Sequence, residues 1–357
     1  GKYRIIICPL VSQGHCSWQP DFLRKILEQH LHGHVELVLA IRQRLMYSYV
    51  RSSEEKPLYD ISDNSALPPI LQRAYNFRRR YLTIGNLRYH FVDEGNPHNP
   101  PILMLHGNPT WSFYFRRLIT ALRKTHHVIV PDHMGCGLSD KPQGYTYTLS
   151  NHMDNVAKLI EHMGLKRITL VCHDWGGAIG MGVATRRPDL FSRFVILNTA
   201  AWRSTRMPKR IAVCRIPFFG TLAVRGLNGF ALAATRMAVA KRLEQGAKSG
   251  LLWPYNSWKN RIAILRFVQD IPMNPSHPSY GCLKETERLL YQLRNKPMKI
   301  CWGMKDWCFD SVFLQQWRER FPKASVTEFP NAGHYILEDT HETVVPAVQN
   351  FLASEDP

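Results

Sequence analysis

The sequence lacks the features that mark a disulfide-stapled, zinc-binding or membrane-spanning chain. Its eight cysteines are scattered without a C-x-x-C pair, a spacing that excludes the common zinc motifs and favours reduced thiols. No apolar run reaches the length of about 18 residues that a spanning helix needs. A basic segment followed by an apolar one, as in a secretory signal, is also missing. We therefore expect a cytoplasmic protein with no bound metal and no other cofactor.

Acidic residues are also few. The chain has 28 Asp and Glu against 46 Lys and Arg, which gives a formal net charge of +18. The basic residues are spread out, apart from Arg78–Arg80 and the stretch between Arg203 and Arg242. Because no recognition helix, RNA-binding motif or zinc finger accompanies them, we predict no binding to nucleic acid. A basic surface that meets a membrane peripherally, or an acidic protein partner, is the better interpretation.

The length and composition allow a substantial folded core. The chain has 357 residues, of which 45% are hydrophobic and 21% charged, as in ordinary globular proteins. Residues 1–75 carry no pattern that we can assign and are interpreted as an amino-terminal extension. His30, His32 and His34 look like a metal tract, but Gly33 breaks the helix that would aim their rings. We interpret these histidines as surface residues.

From about residue 80, short apolar strands alternate with helical patterns. Such alternation predicts an α/β fold with a mostly parallel sheet and helices on both faces. Gly85-Asn86 predicts the turn of a hairpin, and Gly164 predicts the end of a helix. The predicted strands are Tyr81–Ile84, Leu87–Val92, Ile102–Leu105, Val128–Val130, Ile168–Val171, Phe194–Leu197, Met298–Trp302 and Val326–Phe329, and the predicted helices include Leu149–Met163 and Glu342–Leu352.

The alternation of strands and helices is interrupted once, between the predicted strands Phe194–Leu197 and Met298–Trp302. Residues 201–296 read as helices broken by prolines and glycines, which predicts a helical cap inserted in a core formed by residues 76–200 and 297–357. Arg215, Arg225 and Arg236 interrupt its longest apolar part and argue against burial in a bilayer. Its apolar residues suit either an ordinary core or the lining of a long channel; they include Ile216, Phe218, Phe219, Leu222, Leu227, Phe230 and Leu232.

The most informative segment is Thr169-Leu-Val-Cys-His-Asp-Trp-Gly-Gly177. An apolar run that ends at a short polar residue before Gly-Gly is typical of a strand–turn–helix nucleophile elbow, which normally carries Ser in G-x-S-x-G. Here the central residue is Asp174. A carboxylate at this position can displace a leaving group from saturated carbon and form an ester that water then cleaves. The alternative is that Asp174 only caps the next helix.

Two further residues follow predicted strands. With Asp174 they occur in the order nucleophile, acid, histidine, which is the order used by folds with such an elbow. Asp306 follows Met298–Trp302, and His334 follows Val326–Phe329. Each residue alone is weak evidence for a catalytic role, since Asp306 could cap a helix and His334 could be a loop histidine. Together with Asp174 they predict a catalytic triad, in which His334 is the base and Asp306 supports it.

Donors for a developing anion are predicted beside this triad. Asn108 lies in His106-Gly-Asn-Pro-Thr-Trp111, in a loop where the fold supplies half of an oxyanion hole. Trp175 offers a backbone N–H next to Asp174 and an indole N–H that can only donate. Two such donors in a dry apolar pocket would stabilise a leaving halide or another anion. The alternative for Asn108 is a turn residue before Pro109.

The motifs His106-Gly-Asn-Pro-Thr-Trp111 and His173-Asp-Trp-Gly-Gly177 closely resemble those of the haloalkane dehalogenases of the α/β-hydrolase superfamily. The resemblance covers roughly residues 75–357. It implies Asp174 as nucleophile, His334 as base, Asp306 as its partner, and Asn108 with Trp175 as halide-stabilising donors. Some members place the acid after an earlier strand, where this chain has Asn198, so the assignment moves to Asp306.

A second resemblance concerns the subgroup related to the β-lactone decarboxylases of long-chain olefin biosynthesis. Residues Asn198–Arg203, Arg210–Pro217 and Asp132–Asp140 carry it. The resemblance implies that the same catalytic set opens a lactone ring and releases carbon dioxide to leave an alkene.

The motifs favour cleavage of a carbon–halogen bond, with a small apolar substrate and water as the ligands. Decarboxylation of a β-lactone is the first alternative, and epoxide hydrolysis is the second. An epoxide hydrolase needs two cap tyrosines, for which Tyr255 and Tyr280 are the candidates, and an aromatic residue where Asn108 stands. A non-catalytic binding protein is the third alternative, against which the intact set Asp174, Asp306 and His334 argues. Oligomer formation is left open.

Overall fold

One mixed sheet holds the chain together. The computed structural model describes residues 59–60 and 67–354. Within these residues the strand order is β1-β2-β3-β5-β4-β6-β7-β8-β9. The first three strands and the β3–β5 pair are antiparallel, and every pair from β5 to β9 is parallel. The strands are β1 (Tyr59–Asp60), β2 (Arg79–Ile84), β3 (Leu87–Glu94), β4 (Pro101–Leu105), β5 (His127–Pro131), β6 (Ile168–His173), β7 (Phe191–Leu197), β8 (Met298–Gly303) and β9 (Ser325–Phe329).

The predicted mostly parallel sheet is confirmed, and each predicted strand is present. The hairpin of β2 and β3 turns at Gly85, whose φ of +63° lies in the left-handed region that glycine tolerates. The two-residue strand β1 carries too little sequence pattern to be predicted.

Both faces of the sheet are buried. Along β4, Ile102 and Met104 belong to one hydrophobic cluster, whereas Leu103 and Leu105 belong to the other. Because successive side chains of a strand point to opposite faces, the two clusters lie on opposite sides of the sheet. Helices must therefore cover both sides, as the sequence predicts.

Helices connect the parallel strands and fill the interval between β7 and β8. Thr148 caps the long helix α3, since its hydroxyl accepts the N–H of Asn151 at 3.5 Å. Gly164 follows the end of this helix with a φ of +61°, as predicted. The helices are α1 (Pro69–Ala74), α2 (Arg116–Leu122), α3 (Leu149–His162), α4 (Trp175–Arg186), α5 (Lys209–Val213), α6 (Phe219–Thr221), α7 (Gly229–Met237), α8 (Gln245–Leu252), α9 (Ile262–Gln269), α10 (Tyr280–Leu289), α11 (Ser311–Arg320), α12 (Ile336–Asp339) and α13 (His341–Ala353), with a π-helical turn at Leu222–Gly226.

The chain between β7 and β8 holds helices α5 to α10 and no strand among the described residues. We call residues 201–296 the cap; its limits, and those of the other predicted domains, stay predictions. Leu67, Leu71 and Tyr75, which we had counted with the extension, are buried in the core. The histidines at 30, 32 and 34 lie outside the described residues. In the described part of the chain, no helix is both long and apolar enough to span a membrane.

The expectation for the apolar cap residues was wrong for most of them. Of the seven, only Phe230 lines the cavity described below. The other six are between 43% and 89% exposed, so they form neither core nor lining. The physical reason is the shortness of the cap helices, of which α6 has three residues. A helix of one turn has too few inward positions for every apolar side chain that its sequence carries.

Candidate active site

The residues predicted to carry the chemistry meet at one edge of the sheet. The carboxyl ends of β4, β6, β8 and β9 lead into the loops that hold them, which is where ligands bind in sheets of this type. Asn108, Asp174, Asp306 and His334 are all buried, with exposed fractions between 4% and 8%. The structure therefore brings together four polar groups that are each largely shielded from water.

Asp174 lies on a sharp turn between β6 and α4. Its φ of +52° and ψ of −126° lie outside the regions that a side-chain-bearing residue prefers. Its N–H donates to the carbonyl of Asn198 at 3.2 Å, and its carbonyl accepts the hydroxyl of Thr199. A side chain at Gly176 would clash with the carbonyl of Leu105. These contacts stabilise the strained elbow that the sequence predicts and hold the carboxylate above the sheet.

The two carboxylate oxygens of Asp174 have different surroundings. Oδ1 accepts the backbone N–H of Asn108 at 2.7 Å. Because a Cβ at position 107 would clash with Asp174, only glycine allows this approach. Oδ2 lies 3.6 Å from Nε2 of His334. One oxygen is thus fixed by the backbone, and the other faces the imidazole.

His334 is held by Asp306. Its Nδ1 lies 2.8 Å from Oδ2 of Asp306, and its carbonyl accepts Nε2 of His173 at 2.9 Å. Oδ1 of Asp306 accepts the backbone N–H groups of Cys308 at 2.7 Å and Phe309 at 3.1 Å. Nδ1 of the imidazole therefore faces Asp306 and Nε2 faces Asp174, which is the arrangement that a triad requires.

The electrostatics of this pair favour an ionised resting state. Burial alone would lower the pKa of His334, but the carboxylates of Asp306 and Asp174 raise it to about 10. Burial would likewise raise the pKa of Asp174, but its interactions with His334 and the N–H of Asn108 hold it below its usual value. Esterification of Asp174 would remove its negative charge, so the pKa of His334 would fall at that step.

Asn108 and Trp175 present donors to the same space. One N–H of the Asn108 amide donates to the carbonyl of Ile264 at 3.1 Å; its second N–H has no partner in the described chain. The indole N–H of Trp175 also has none among the residues that the structure places. The indole ring packs on Phe267 with the ring centroids 5.3 Å apart. Two N–H donors are therefore available to an anion beside Asp174.

These groups line a cavity of about 520 Å³ between the sheet and the cap. It contacts Asn108, Asp174, Trp175 and His334, and the exposed Arg206 and Arg210 lie at its outer end. The remaining lining is mostly apolar and includes Trp202, Met207, Ile211, Ala223, Phe230, Ala233, Ala234, Met237, Ala238, Val268, Ile271, Leu283, Phe309 and Phe313.

The two cap tyrosines that an epoxide hydrolase would need do not line this cavity. The hydroxyl of Tyr255 donates to the carbonyl of Thr110 at 3.1 Å, and that of Tyr280 accepts from Arg203 at 3.2 Å. Neither tyrosine therefore presents its hydroxyl to this cavity. No group of three or more His, Cys, Asp or Glu residues in the described chain has a geometry that could hold a metal ion.

Comparison with known proteins places this chain in a family. The sequence profile of the α/β-hydrolase fold matches residues 100–340. The chain belongs to the α/β-hydrolase family, in the group that includes haloalkane dehalogenases and oxetanone decarboxylases.

The matches to two curated relatives cover nearly the whole length of each relative. A cis-3-alkyl-4-alkyloxetan-2-one decarboxylase from Shewanella oneidensis is 43% identical over 294 residues, which cover 80% of this chain and 92% of the relative. A haloalkane dehalogenase from Mycobacterium bovis is 30% identical over 281 residues, covering 77% and 95%. A solved mutant haloalkane dehalogenase from Agrobacterium tumefaciens superposes with a TM-score of 0.71 at 23% identity, covering 77% of this chain and 96% of that one.

Proposed function

We propose that this protein is a β-lactone decarboxylase. It would convert an oxetan-2-one that carries two alkyl chains into an alkene and carbon dioxide. One observation carries the proposal: the chain is 43% identical to a decarboxylase of this kind, against 30% for the dehalogenase, over comparable lengths. The motifs alone favour carbon–halogen cleavage, and this comparison reverses the order of the two hypotheses.

The cavity suits such a substrate. Apart from the reacting groups and the two arginines at its outer end, its lining is mostly apolar. Burial of alkyl chains against such a lining stabilises the complex by about 25 cal/mol for each Å² removed from water. Asn108, Asp174, Trp175 and His334 all line this cavity, so the lactone ring would lie against Asp174, with its alkyl chains along the cap.

The reaction begins at Oδ2 of Asp174, because Oδ1 is held by the N–H of Asn108. Oδ2 attacks the saturated ring carbon that bears the ring oxygen, and the bond between those two ring atoms breaks. The ring opens to an alkyl ester of Asp174 with a free carboxylate two carbons away from the ester oxygen. The amide of Asn108 and the indole of Trp175 donate to this carboxylate as it forms.

The second step releases both products. The carbon–carbon bond to the free carboxylate breaks, and its electron pair forms the alkene. At the same time the ester carbon–oxygen bond breaks and returns its electron pair to Asp174. The atoms balance as one lactone giving one alkene and one carbon dioxide, with no water consumed and no net proton transfer. His334 then acts as the cation that positions Asp174 rather than as a base.

Haloalkane dehalogenation is the second candidate function. The 30% identity to a dehalogenase supports it, and the unpartnered donors of Asn108 and Trp175 suit a halide as well as a carboxylate. The first step is the same displacement at saturated carbon. The second differs, because His334 must lose its proton and activate water against the ester carbonyl.

The experiment offers the purified protein a cis-β-lactone with two alkyl chains and, separately, 1-bromobutane. We expect alkene formation, measured by gas chromatography with mass spectrometry, to be the faster reaction. Asp174→Asn should lose both activities, whereas Asp154→Asn, which changes an exposed carboxylate, should keep them. Bromide release without alkene would replace the proposal with the dehalogenase, and turnover of neither compound would leave a binding protein.

A further inference from the structure

The outside of the cap is unusually apolar. Of the ten large hydrophobic residues that are strongly exposed in the described chain, eight lie between residues 213 and 258. Single exposed hydrophobic residues are ordinary, whereas a cluster marks a contact surface. We call this set the cap face: Val213, Ile216, Phe218, Phe219, Leu222, Leu227, Leu232 and Trp258.

Residues at the centre of the cap face are neighbours in space as well as in sequence. The N–H of Leu222 donates to the carbonyl of Phe218 at 2.9 Å, and that of Leu227 donates to Leu222 at 3.0 Å. A Cβ built on Gly226 would lie 3.0 Å from the Leu222 side chain and 3.7 Å from the Trp258 ring. The apolar side chains at this centre therefore form one patch.

Phe218 shows that the patch is held outward. It is 89% exposed, and its φ of +61° with ψ of −55° is rare for a residue with a bulky side chain. Such a conformation costs about 1–3 kcal/mol. The ring contributes little to the core in return, so the stabilising contact is expected from outside the described chain.

The cap face lies in a basic stretch of sequence, in which the exposed Glu244 is the one acidic residue between 201 and 258. Residues 201–243 contain nine Lys and Arg and no Asp or Glu. Lys209, Arg236, Lys241 and Arg242 are exposed and form no ion pair with a described carboxylate. The guanidinium of Arg225 lies 4.6 Å from the centroid of the Trp258 ring. An apolar patch in a stretch of chain that also carries unpaired cations is complementary to a surface that is apolar inside and anionic at its edge.

The cap face and the cavity are two sides of the same layer of chain. In helix α5, Ile211 lines the cavity while Val213 is exposed. In the π-helical turn, Ala223 lines it while Leu222 is exposed. Arg206 and Arg210 line the cavity and are exposed, so the cavity opens to solvent in the segment that leads into and begins α5.

We propose that the cap face docks on an anionic phospholipid bilayer. Its apolar side chains enter the boundary between headgroups and acyl chains, and the unpaired cations contact the phosphates. Arginines interrupt the apolar stretch, which disfavours deep burial but suits an interface. An acidic protein would match the charge, but it would offer no apolar phase from which a substrate could enter. In this last respect the inference rests on the proposed function, which supplies a lipid-soluble substrate and product.

The test is flotation of the full chain with lipid vesicles. One set contains phosphatidylcholine alone, and the other contains phosphatidylglycerol at about 30 mol %. We expect binding to the anionic set only, weakened by salt. The variant Phe218→Ser/Phe219→Ser/Leu222→Ser should lower the partition coefficient at least about tenfold. Its matched control is Tyr291→Ser/Val312→Ser, which removes the two exposed apolar side chains outside the cap face.

A second pair of variants tests the charge. Lys209→Glu/Lys241→Glu/Arg242→Glu should abolish flotation, whereas Lys158→Glu/Lys166→Glu/Lys284→Glu, with the same charge change on other exposed sites, should retain most of it. Unfolding curves of all variants exclude misfolding as the cause. No binding to anionic vesicles, or equal loss in the cap-face variants and their controls, would overturn the proposal. So would a cap-face variant whose only change is loss of self-association or of an acidic protein partner.

The tests distinguish failure of the docking proposal from failure of the proposed function. Asp174→Asn should float as the native protein does, because Asp174 is buried and is not part of the cap face. Flotation without alkene formation would leave the bilayer docking and remove the proposed function. Alkene formation without flotation would do the reverse.

Discussion

The side-chain amide of Asn198 donates to Oδ2 of Asp306 at 3.0 Å, the same oxygen that lies 2.8 Å from Nδ1 of His334. The other end of that amide accepts the N–H of Gly303 at 2.8 Å. Asn198 is fully buried. Asn198, at the end of β7, thus holds the carboxylate that faces His334 from the neighbouring strand.

Asn198→Asp is predicted to be strongly destabilising. It would place a second carboxylate beside Asp306 in a buried site, where like charges repel and lack compensation. We expect the free energy of unfolding at neutral pH to fall by about 2–4 kcal/mol, measured by urea denaturation. Asn295→Asp, at an exposed position, should change it little. Equal stability of the two variants would contradict the role of Asn198.

Asp306→Asn is predicted to lower the pKa of His334 from about 10, because it removes one of the two carboxylates that raise it. The raised pKa stabilises the fold fully below about pH 6.5, the unfolded value, and this contribution is lost as the pH rises through about 10. The variant should therefore be less stable than the native protein at neutral pH, and this difference should shrink above pH 10. NMR titration of His334 and unfolding curves at several pH values measure both effects, with Asp154→Asn as the control. An unchanged titration would refute the pairing.

Asn108→Ala is predicted to slow the first displacement. The variant keeps the backbone N–H that binds Asp174 but loses the side-chain donor for the leaving anion. Removal of one such donor should raise the barrier by about 2–4 kcal/mol. The measurement is kcat/KM with lactone and with 1-bromobutane, beside a thermal melt to check folding. A loss confined to stability, with kcat/KM intact, would show that Asn108 only tethers Ile264.

His334→Phe is predicted to separate the two chemistries. With 1-bromobutane the ester should accumulate, because no base activates water, and a butyl group should appear on Asp174 by mass spectrometry. With the lactone the variant should still release carbon dioxide, more slowly, because that route consumes no water. The double variant Asp174→Asn/His334→Phe should show no adduct. Absence of the butyl adduct, if the native protein releases bromide, would contradict the two-step scheme.

The parallel sheet and the position of the candidate site could be predicted from the sequence. The parallel strands are short apolar runs between turn signals, and the elbow at Asp174 has a strong local signature in Gly176 and Gly177. Because the carboxyl ends of parallel strands share one edge, the order of Asp174, Asp306 and His334 also predicts that they meet. The structure places His334 between the two carboxylates, as expected; their catalytic roles stay predictions.

What could not be predicted depends on contacts between distant segments. Nothing local to Asn198 indicates that its amide will face Asp306, because that pairing is set by the register of β7 on β8. The backbone donors of Cys308 and Phe309 carry no residue-type signal. The prediction for the apolar cap residues was wrong for a different reason. In helices of one or two turns, the periodicity of the sequence does not indicate which side packs against a neighbour. The outward position of Phe218 could therefore not be predicted.

The central claim is tested most directly by the fate of the lactone carbonyl carbon. A cis-β-lactone labelled with carbon-13 at that carbon is incubated with the native protein and with Asp174→Asn, and the gas and organic phases are analysed together. We predict labelled carbon dioxide and an unlabelled cis-alkene in equal amounts from the native protein, and neither from the variant. Label retained in a β-hydroxy acid, with no alkene, would contradict the account.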